Sequence, residues 1–362
     1  MATMKSLRIA IRTCLVAIGW GLAPLAAGGG FVDVLDLPAQ RSQLATRSPM
    51  QAVTRAGNRL IAVGQRGHIV VSADAGATWR QASVPVSSDL TGVYFVDSTQ
   101  GWVVGHDGVV LHTKDSGDTW QLQLDGRKAN DLLVAAMTRK VAADGSDAAK
   151  KLLAEASRYQ QQGADKPFLD VWFADANDGY VVGAYNLIFR TRDGGNTWES
   201  WFDRTENSKF FNLYAIHPVA GALYVAGEGG LVMKLDASGQ RFSALAVPYQ
   251  GSFFGLAAAK DAVLAFGLRG NVFRSEDGGQ SWTKVDAQLP SAVVAATPTL
   301  HGATLLADAG GRVAASDDGG RTFTKVLLKH PMPIVGLIEA AEGQFVLAGP
   351  RGVAVTGSAA AP

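Results

Sequence analysis

Ser72-Ala73-Asp74-Ala75-Gly76-Ala77-Thr78-Trp79 decides the fold, because the chain repeats it. Copies of this Ser/Thr-x-Asp-x-Gly-x-Thr/Ser-Trp box end at Trp120, Trp198, Trp282 and Phe323, and a worn version ends at Phe242. Trp79 and Trp120 are 41 residues apart, Phe242 and Trp282 are 40, and Trp282 and Phe323 are 41. Upstream of most copies lies a short apolar run, a glycine, a few residues and often a second glycine. Examples are Val63-Gly64 before Gly67, Val104-Gly105 before Gly108, Ala226-Gly227 before Gly230, Phe266-Gly267 before Gly270 and Ala348-Gly349 before Gly352. Short strands and glycine turns repeating at this period are the signature of a propeller.

Within one box the physical roles can be assigned. Asp115 accepts hydrogen bonds from amides of its own turn, Gly117 takes a positive φ, and Trp120 offers a large flat surface to the wedge between blades. These roles are structural. Boxes one blade apart sit on separate hairpins, so their carboxylates do not converge on one ion, and neither a metal site nor a cofactor is expected. Seven units follow, centred on residues 50–88, 89–126, 168–205, 212–250, 251–290, 291–330 and 332–357. The fold expected is all-β, a seven-bladed β-propeller of four-stranded antiparallel blades spanning residues 31–362, with a six-bladed ring as the alternative. The last unit has only three strands before Gly357. Residues 31–37, Phe-Val-Asp-Val-Leu-Asp-Leu, alternate as a strand and are predicted to supply the fourth, closing the ring.

The interval from Trp120 to Trp198 is 78 residues and breaks the rhythm. Residues 127–166 explain it. They are rich in helix formers, and Leu132, Leu133, Ala136, Met137 and Val141 follow helical spacing, as do Ala149, Leu152, Leu153, Ala156 and Tyr159. Two short helices joined at Asp144-Gly145-Ser146-Asp147 are predicted after the second blade. A long insertion in a regular array is either a cover for the disc or a docking element.

Strand parity then locates a surface. The chain reverses at every turn, so the fourth-to-first connections share a face with the second-to-third turns, and the boxes lie on the other. The insertion is a fourth-to-first connection. It is therefore expected beside the glycine turns that carry Arg66, His106, Tyr185, Glu228, Arg269, Arg312 and Arg351, the candidate partner-binding residues around the central channel.

Composition limits the classes of function. The 362 residues carry 42 glycines, a formal charge of +1 and one cysteine, Cys14. No sustained basic stripe with interleaved aromatics points to nucleic acid. Lys5, Arg8 and Arg12 precede an apolar stretch and then Gly28-Gly29-Gly30, a pattern that predicts a secretory signal peptide over residues 1–28. The expected mature chain is periplasmic, is not itself inserted in the membrane, and has no cysteine for disulfides or thiolate chemistry.

Gly101-Trp102-Val103-Val104-Gly105 followed by the box Thr113 to Trp120, and Gly179-Tyr180-Val181-Val182-Gly183 followed by the box Thr191 to Trp198, are similar to the photosystem II assembly and stability factor family. The resemblance covers nearly the whole chain outside the helical insertion and the leader. It implies a lumenal-type seven-bladed propeller that acts without catalysis as a binding scaffold for a membrane protein complex or its nascent subunit. Photosynthetic members are similar in using an arginine-rich patch, for which this chain has the scattered arginines named above. Members with a helical insertion resemble periplasmic companions of resistance-nodulation-division exporters. Two other readings stay open: a sialidase-like glycoside hydrolase, which lacks its Arg-Ile-Pro motif here, and an envelope propeller binding carbohydrate or peptide.

Overall fold

Each repeat folds into one sheet in which successive strands are neighbours. Residues 50–81, 90–124, 168–200, 213–244, 253–285 and 293–326 each form four antiparallel strands in sequence order, and residues 336–357 form three. The computed structural model describes residues 32–359, so the predicted signal peptide lies outside the described residues. The first strands of the seven sheets are Met50–Ala56, Leu90–Phe95, Phe168–Phe173, Leu213–Val219, Phe253–Ala259, Val293–Pro298 and Gly336–Ala341. Each packs on the next, and the seventh returns to the first, giving a ring of seven blades. The second strands are enclosed by neighbouring blades on both faces. Gly101–Gly105, Gly179–Gly183 and Ala262–Gly267 are accordingly buried at every position, which is why they read as unbroken apolar runs.

The boxes behave as their chemistry requires. In the second blade the Asp115 carboxylate accepts from the Thr119 amide at 2.9 Å and the Thr119 hydroxyl at 2.6 Å, while Thr113 Oγ1 accepts from the Gly117 amide at 3.1 Å. Gly117 has φ +88°, and a Cβ there would lie 3.0 Å from Ile61 of the preceding blade. Trp120 is 4% exposed and packs with Ile61 and Val71, so the indole fills the wedge between blades one and two.

The N-terminal strand predicted for residues 31–37 is not formed in its described part. Asp33 accepts the Leu35 amide on its side chain and the Asp36 amide on its carbonyl, so the backbone turns where it was expected to extend. Leu35 is buried against Val84 and Val86, and the Val34 carbonyl accepts from Ser87. The segment therefore serves the first blade. The seventh keeps three strands among the described residues, and the ring closes there by packing: Ala340 and Val346 meet Leu60 and Trp79, and Ala348 meets Met50 and Ala62.

The insertion forms two helices, α1 (Gly126–Asp144) and α2 (Asp147–Gln162). Asp125 caps α1 by accepting the Lys128 amide, Gly145 ends it at φ +61°, and Ser146 caps α2 by accepting the Ala149 amide. Leu133, Met137, Ala156 and Tyr159 face inward and join Trp102, Phe168, Phe173 and Phe202 in one cluster. The hairpin is thus an extension of the core between blades two and three. No helix among the described residues is long and apolar enough to cross a membrane.

Candidate partner-binding face

The second-to-third turns of the first five blades share one construction. In the first blade the Gly64 amide donates to the His68 carbonyl and the His68 amide to the Gln65 carbonyl, which drives Arg66 and Gly67 into left-handed backbone at φ +56° and +70°. The incoming connection to the next blade passes directly over this turn. A Cβ on Gly67 would sit 2.2 Å from the Val86 carbonyl oxygen, so the second left-handed position belongs to glycine. Gly108, Gly230, Gly270, Gly311 and Gly352 hold the corresponding places.

The third blade departs from this rule, and the departure builds a site. Asn186 stands where the others have glycine, at φ +65° and 1% exposed. Its side-chain amide donates to the Phe202 carbonyl at 3.0 Å, and its oxygen accepts from Thr205 Oγ1 at 3.0 Å and Asn207 Nδ2 at 2.9 Å. Asn207 in turn accepts the Phe211 amide and donates to the Phe211 carbonyl. This network ties the connection over residues 202–211 to the turn through the side chain, and the Asn186 amide adds a bond to the Phe211 carbonyl at 3.2 Å. It also holds Phe210 at φ +53°, uncommon for a bulky residue, with its ring stacked on Phe202 at 5.3 Å between centroids.

Opposite that connection stands the hairpin. Tyr159 donates its hydroxyl to the Tyr185 carbonyl at 3.2 Å, and burial pushes its pKa up to about 12, so it remains a donor. Lys166, 5% exposed, lies 4.8 Å above the Tyr159 ring, and Arg158 also stacks on that ring at 4.9 Å. Lys140 of α1 pairs with Asp203 at 2.9 Å, and Lys151 of α2 reaches over the Phe210 ring at 5.6 Å. Between the two walls is a cavity of about 620 Å³. Phe202, Phe210 and Leu152 form its apolar part, and Lys140, Lys151, Asp203, Glu206 and Arg241 its charged rim.

Of the predicted residues, Tyr185 touches the hairpin directly. Arg66, Tyr185, Arg269 and Arg351 occupy one equivalent turn position, His106 and Glu228 stand one residue earlier, and Arg312 two later. They form a ring one strand out from the channel-side strands, rather than lining those strands themselves. Arg66, Arg269 and Arg351 are exposed and make no ion pair with any described residue. Arg312 pairs with Asp308 at 3.4 Å, and Glu228 accepts the Asn212 amide at 3.3 Å, so both are partly committed to their own blades. The residues of the cavity, Phe202, Phe210 and Lys151, went unread in the sequence. The available signal was the missing second glycine at Tyr185-Asn186. Among the described residues no group of three or more His, Cys, Asp or Glu side chains is placed to hold a metal.

A family model described as "Photosynthesis system II assembly factor YCF48" matches residues 45–144 and 150–285. The chain is 31% identical over 121 residues to the "Photosystem II assembly lipoprotein Ycf48" of Synechococcus sp. (strain CC9902), covering 32% of this chain and 35% of that one. It is 21% identical over 254 residues to the chloroplastic "Photosystem II stability/assembly factor HCF136" of Arabidopsis thaliana, covering 61% of this chain and 63% of that one. The matched regions thus span about a third of the first relative's length and under two thirds of the second's. A solved structure described as "YCF48 bound to D1 peptide" superposes with a TM-score of 0.61 at 14% identity, covering 91% of this chain and 99% of that one. "YCF48 from Cyanidioschyzon merolae" superposes with a TM-score of 0.60 at 15% identity over 88% and 98% of the two chains. These structures share the fold, and the family model covers more than half of the sequence, from the first blade through the fifth: the chain belongs to the photosynthesis system II assembly factor YCF48 family.

Proposed function

We propose that this protein is a non-enzymatic scaffold of the periplasm that binds an extended segment of a membrane-protein subunit on its glycine-turn face, beside the helical hairpin. The observation that carries this reading is the cavity between the hairpin and residues 202–210. Its volume lies in the range of sites that enclose a small ligand, and a stacked phenylalanine pair with a mixed-charge rim suits an apolar side chain flanked by polar backbone. Support comes from the relatives: the curated ones are named as photosystem II assembly factors, and one solved structure of the same fold is described as bound to a peptide. Those names favour a photosystem-type subunit as the partner class. A resistance-nodulation-division exporter would be a partner of the same general kind, and none of the relatives named above speaks for it.

The test is affinity capture from detergent-solubilised envelope. The wild-type chain and a Lys114→Glu/Arg192→Glu variant on the box face should co-purify a membrane subunit, while a Lys151→Glu/Phe210→Ala variant with an unchanged circular-dichroism spectrum should not. Capture by the cavity variant together with loss in the box-face variant would overturn the assignment.

A further inference from the structure

The third strand of the seventh blade, Gly352–Gly357, has an open outer edge where the other six blades carry a fourth strand. The register shows which groups it presents. Ala348 accepts the Val335 amide and so faces inward to the first strand of the blade, whereas Leu347 faces outward and pairs with Ala354. Ala354 therefore points back into the sheet, and the amide and carbonyl groups of Val353 and Val355 point out of it. Gly357, of the same parity, confirms the direction because its carbonyl accepts the Lys329 amide. Among the described residues nothing bonds to the outward backbone groups of Val353 and Val355.

Both ends of this edge are occupied, and the middle is not. At one end Thr46 and Arg47 lie against Gly352. At the other, residues 327–329 begin an antiparallel pairing with residues 357–359, through the bonds of Lys329 to Gly357 and of Ala359 to Leu327, and the His330 amide donates to the Thr356 hydroxyl at 3.0 Å. Leu44 and Leu327, 60% and 44% exposed, stand beside the two ends. Arg47 and Lys329 are exposed there, one at each end, and neither forms an ion pair with a described residue.

We propose that this edge takes an extended acidic segment of another polypeptide as the fourth strand of the seventh blade. Main-chain hydrogen bonds to Val353 and Val355 supply the pairing, the cations at both ends select carboxylate side chains, and Leu44 and Leu327 receive apolar ones. This is a second contact, separate from the cavity on the glycine-turn face.

The probe is a synthetic eight-residue peptide of alternating valine and glutamate, added to the full-length chain. Hydrogen–deuterium exchange should slow at the Val353 and Val355 amides and nowhere on the hairpin. Binding should weaken by about tenfold in a Val355→Pro variant, which removes one outward donor and no bond of the existing ladder. Should that variant not fold, the same peptide N-methylated on alternate residues tests the wild-type chain instead, and should not bind. A valine–lysine peptide should also fail. Equal binding of the N-methylated or lysine peptides overturns the proposal. So does protection of the Val353 and Val355 amides before any peptide is added. If that protection disappears on removal of residues 1–31, the occupant is the chain's own N-terminus; if it rises with protein concentration, the occupant is a second copy.

Discussion

On one face of the disc five boxes close on themselves with the same four hydrogen bonds, and on the other no two turns carry the same residues. Asp74, Asp115, Asp193, Asp277 and Asp318 each accept from the hydroxyl two residues before and from the amide and hydroxyl four residues after, and each box glycine donates to the same leading hydroxyl. The opposite turns read Gln65-Arg66-Gly67, His106-Asp107-Gly108, Ala184-Tyr185-Asn186, Glu228-Gly229-Gly230, Leu268-Arg269-Gly270, Ala309-Gly310-Gly311 and Pro350-Arg351-Gly352. Where a side chain satisfies its own turn and wedges the next blade, the repeat is fixed by stability. Where only backbone geometry and one glycine are needed, the remaining positions are free to carry recognition.

If that division is right, the largest effects belong to the box face. Trp120→Ala empties a site between blades one and two and should cost ~3 to 5 kcal/mol. Chemical denaturation should show the midpoint fall, and any lost partner binding should track the unfolded fraction. A variant that melts like wild type would break the comparison at its strongest point.

Acid should act next, through the core rather than either face. Burial lowers the His217 pKa to about 4, and burial together with the nearby Lys114 charge lowers that of His112, stacked on Trp102, to about 4. Unfolded histidine titrates near ~6.5. The unfolded chain therefore binds more protons between these values, and stability must fall as pH drops from 6.5 toward 4. Asp170 opposes them. Its carboxylate, on the innermost strand of blade three, accepts the amides of Val171 and of Ile216 in blade four, and burial raises its pKa to about 7. Its folded value lies above its unfolded one, so Asp170 adds stability as pH falls from 7 toward 4. Melting temperature against pH should consequently fall more steeply below 6.5 in Asp170→Asn than in wild type, whatever constant offset the substitution brings. His217→Gln should flatten the same curve. A shallower slope in Asp170→Asn would mean that the carboxylate is ionised in the fold across this range.

The sequence showed the two faces unequally, for a physical reason. The boxes, the seven units and the helical hairpin were legible because each rests on local chemistry: a side chain bonding its own turn, an apolar run, a capped amphipathic helix. The N-terminal strand was misread because alternation in residues 31–37 is shared by an extended strand and by a turn that buries one leucine, and only the Asp33 side chain decided between them. The cavity was invisible because it depends on contacts between the hairpin and a connection 40 to 80 residues away, as in the Lys140–Asp203 and Lys151–Phe210 pairs. Asn186→Gly sharpens this point. It restores the rule of the other blades while removing three hydrogen bonds to the connection, and should cost about 1 to 3 kcal/mol. Faster amide exchange should be confined to residues 202–211, with capture of the membrane partner reduced. Uniform exchange across blade three would show that Asn186 only packs.

The smallest effect should come from the residues that the sequence put forward first. Arg66 and Arg269 sit on left-handed turn backbone, Arg351 at the equivalent place in the seventh blade, and all three are exposed without an ion pair among the described residues. Exposed charges of this kind contribute at most about 1 kcal/mol, and an unpaired one less. Reversing all three to glutamate should leave the melting temperature within a degree or two of wild type, because the turn bonds are made by backbone groups that the substitution does not touch. The glycines that the incoming connections require are also unchanged. Partner capture should weaken, and weaken more at low salt than at high, since the partner's complementary charges are screened within about 8 Å at physiological ionic strength. Reversal of Lys114 and Arg192 changes the charge on the box face at two positions against three here, and should do neither. If the two sets of reversals reduced capture in proportion to the charge they move, net charge rather than the glycine-turn face would be what the partner reads, and the division between the faces would hold for stability alone.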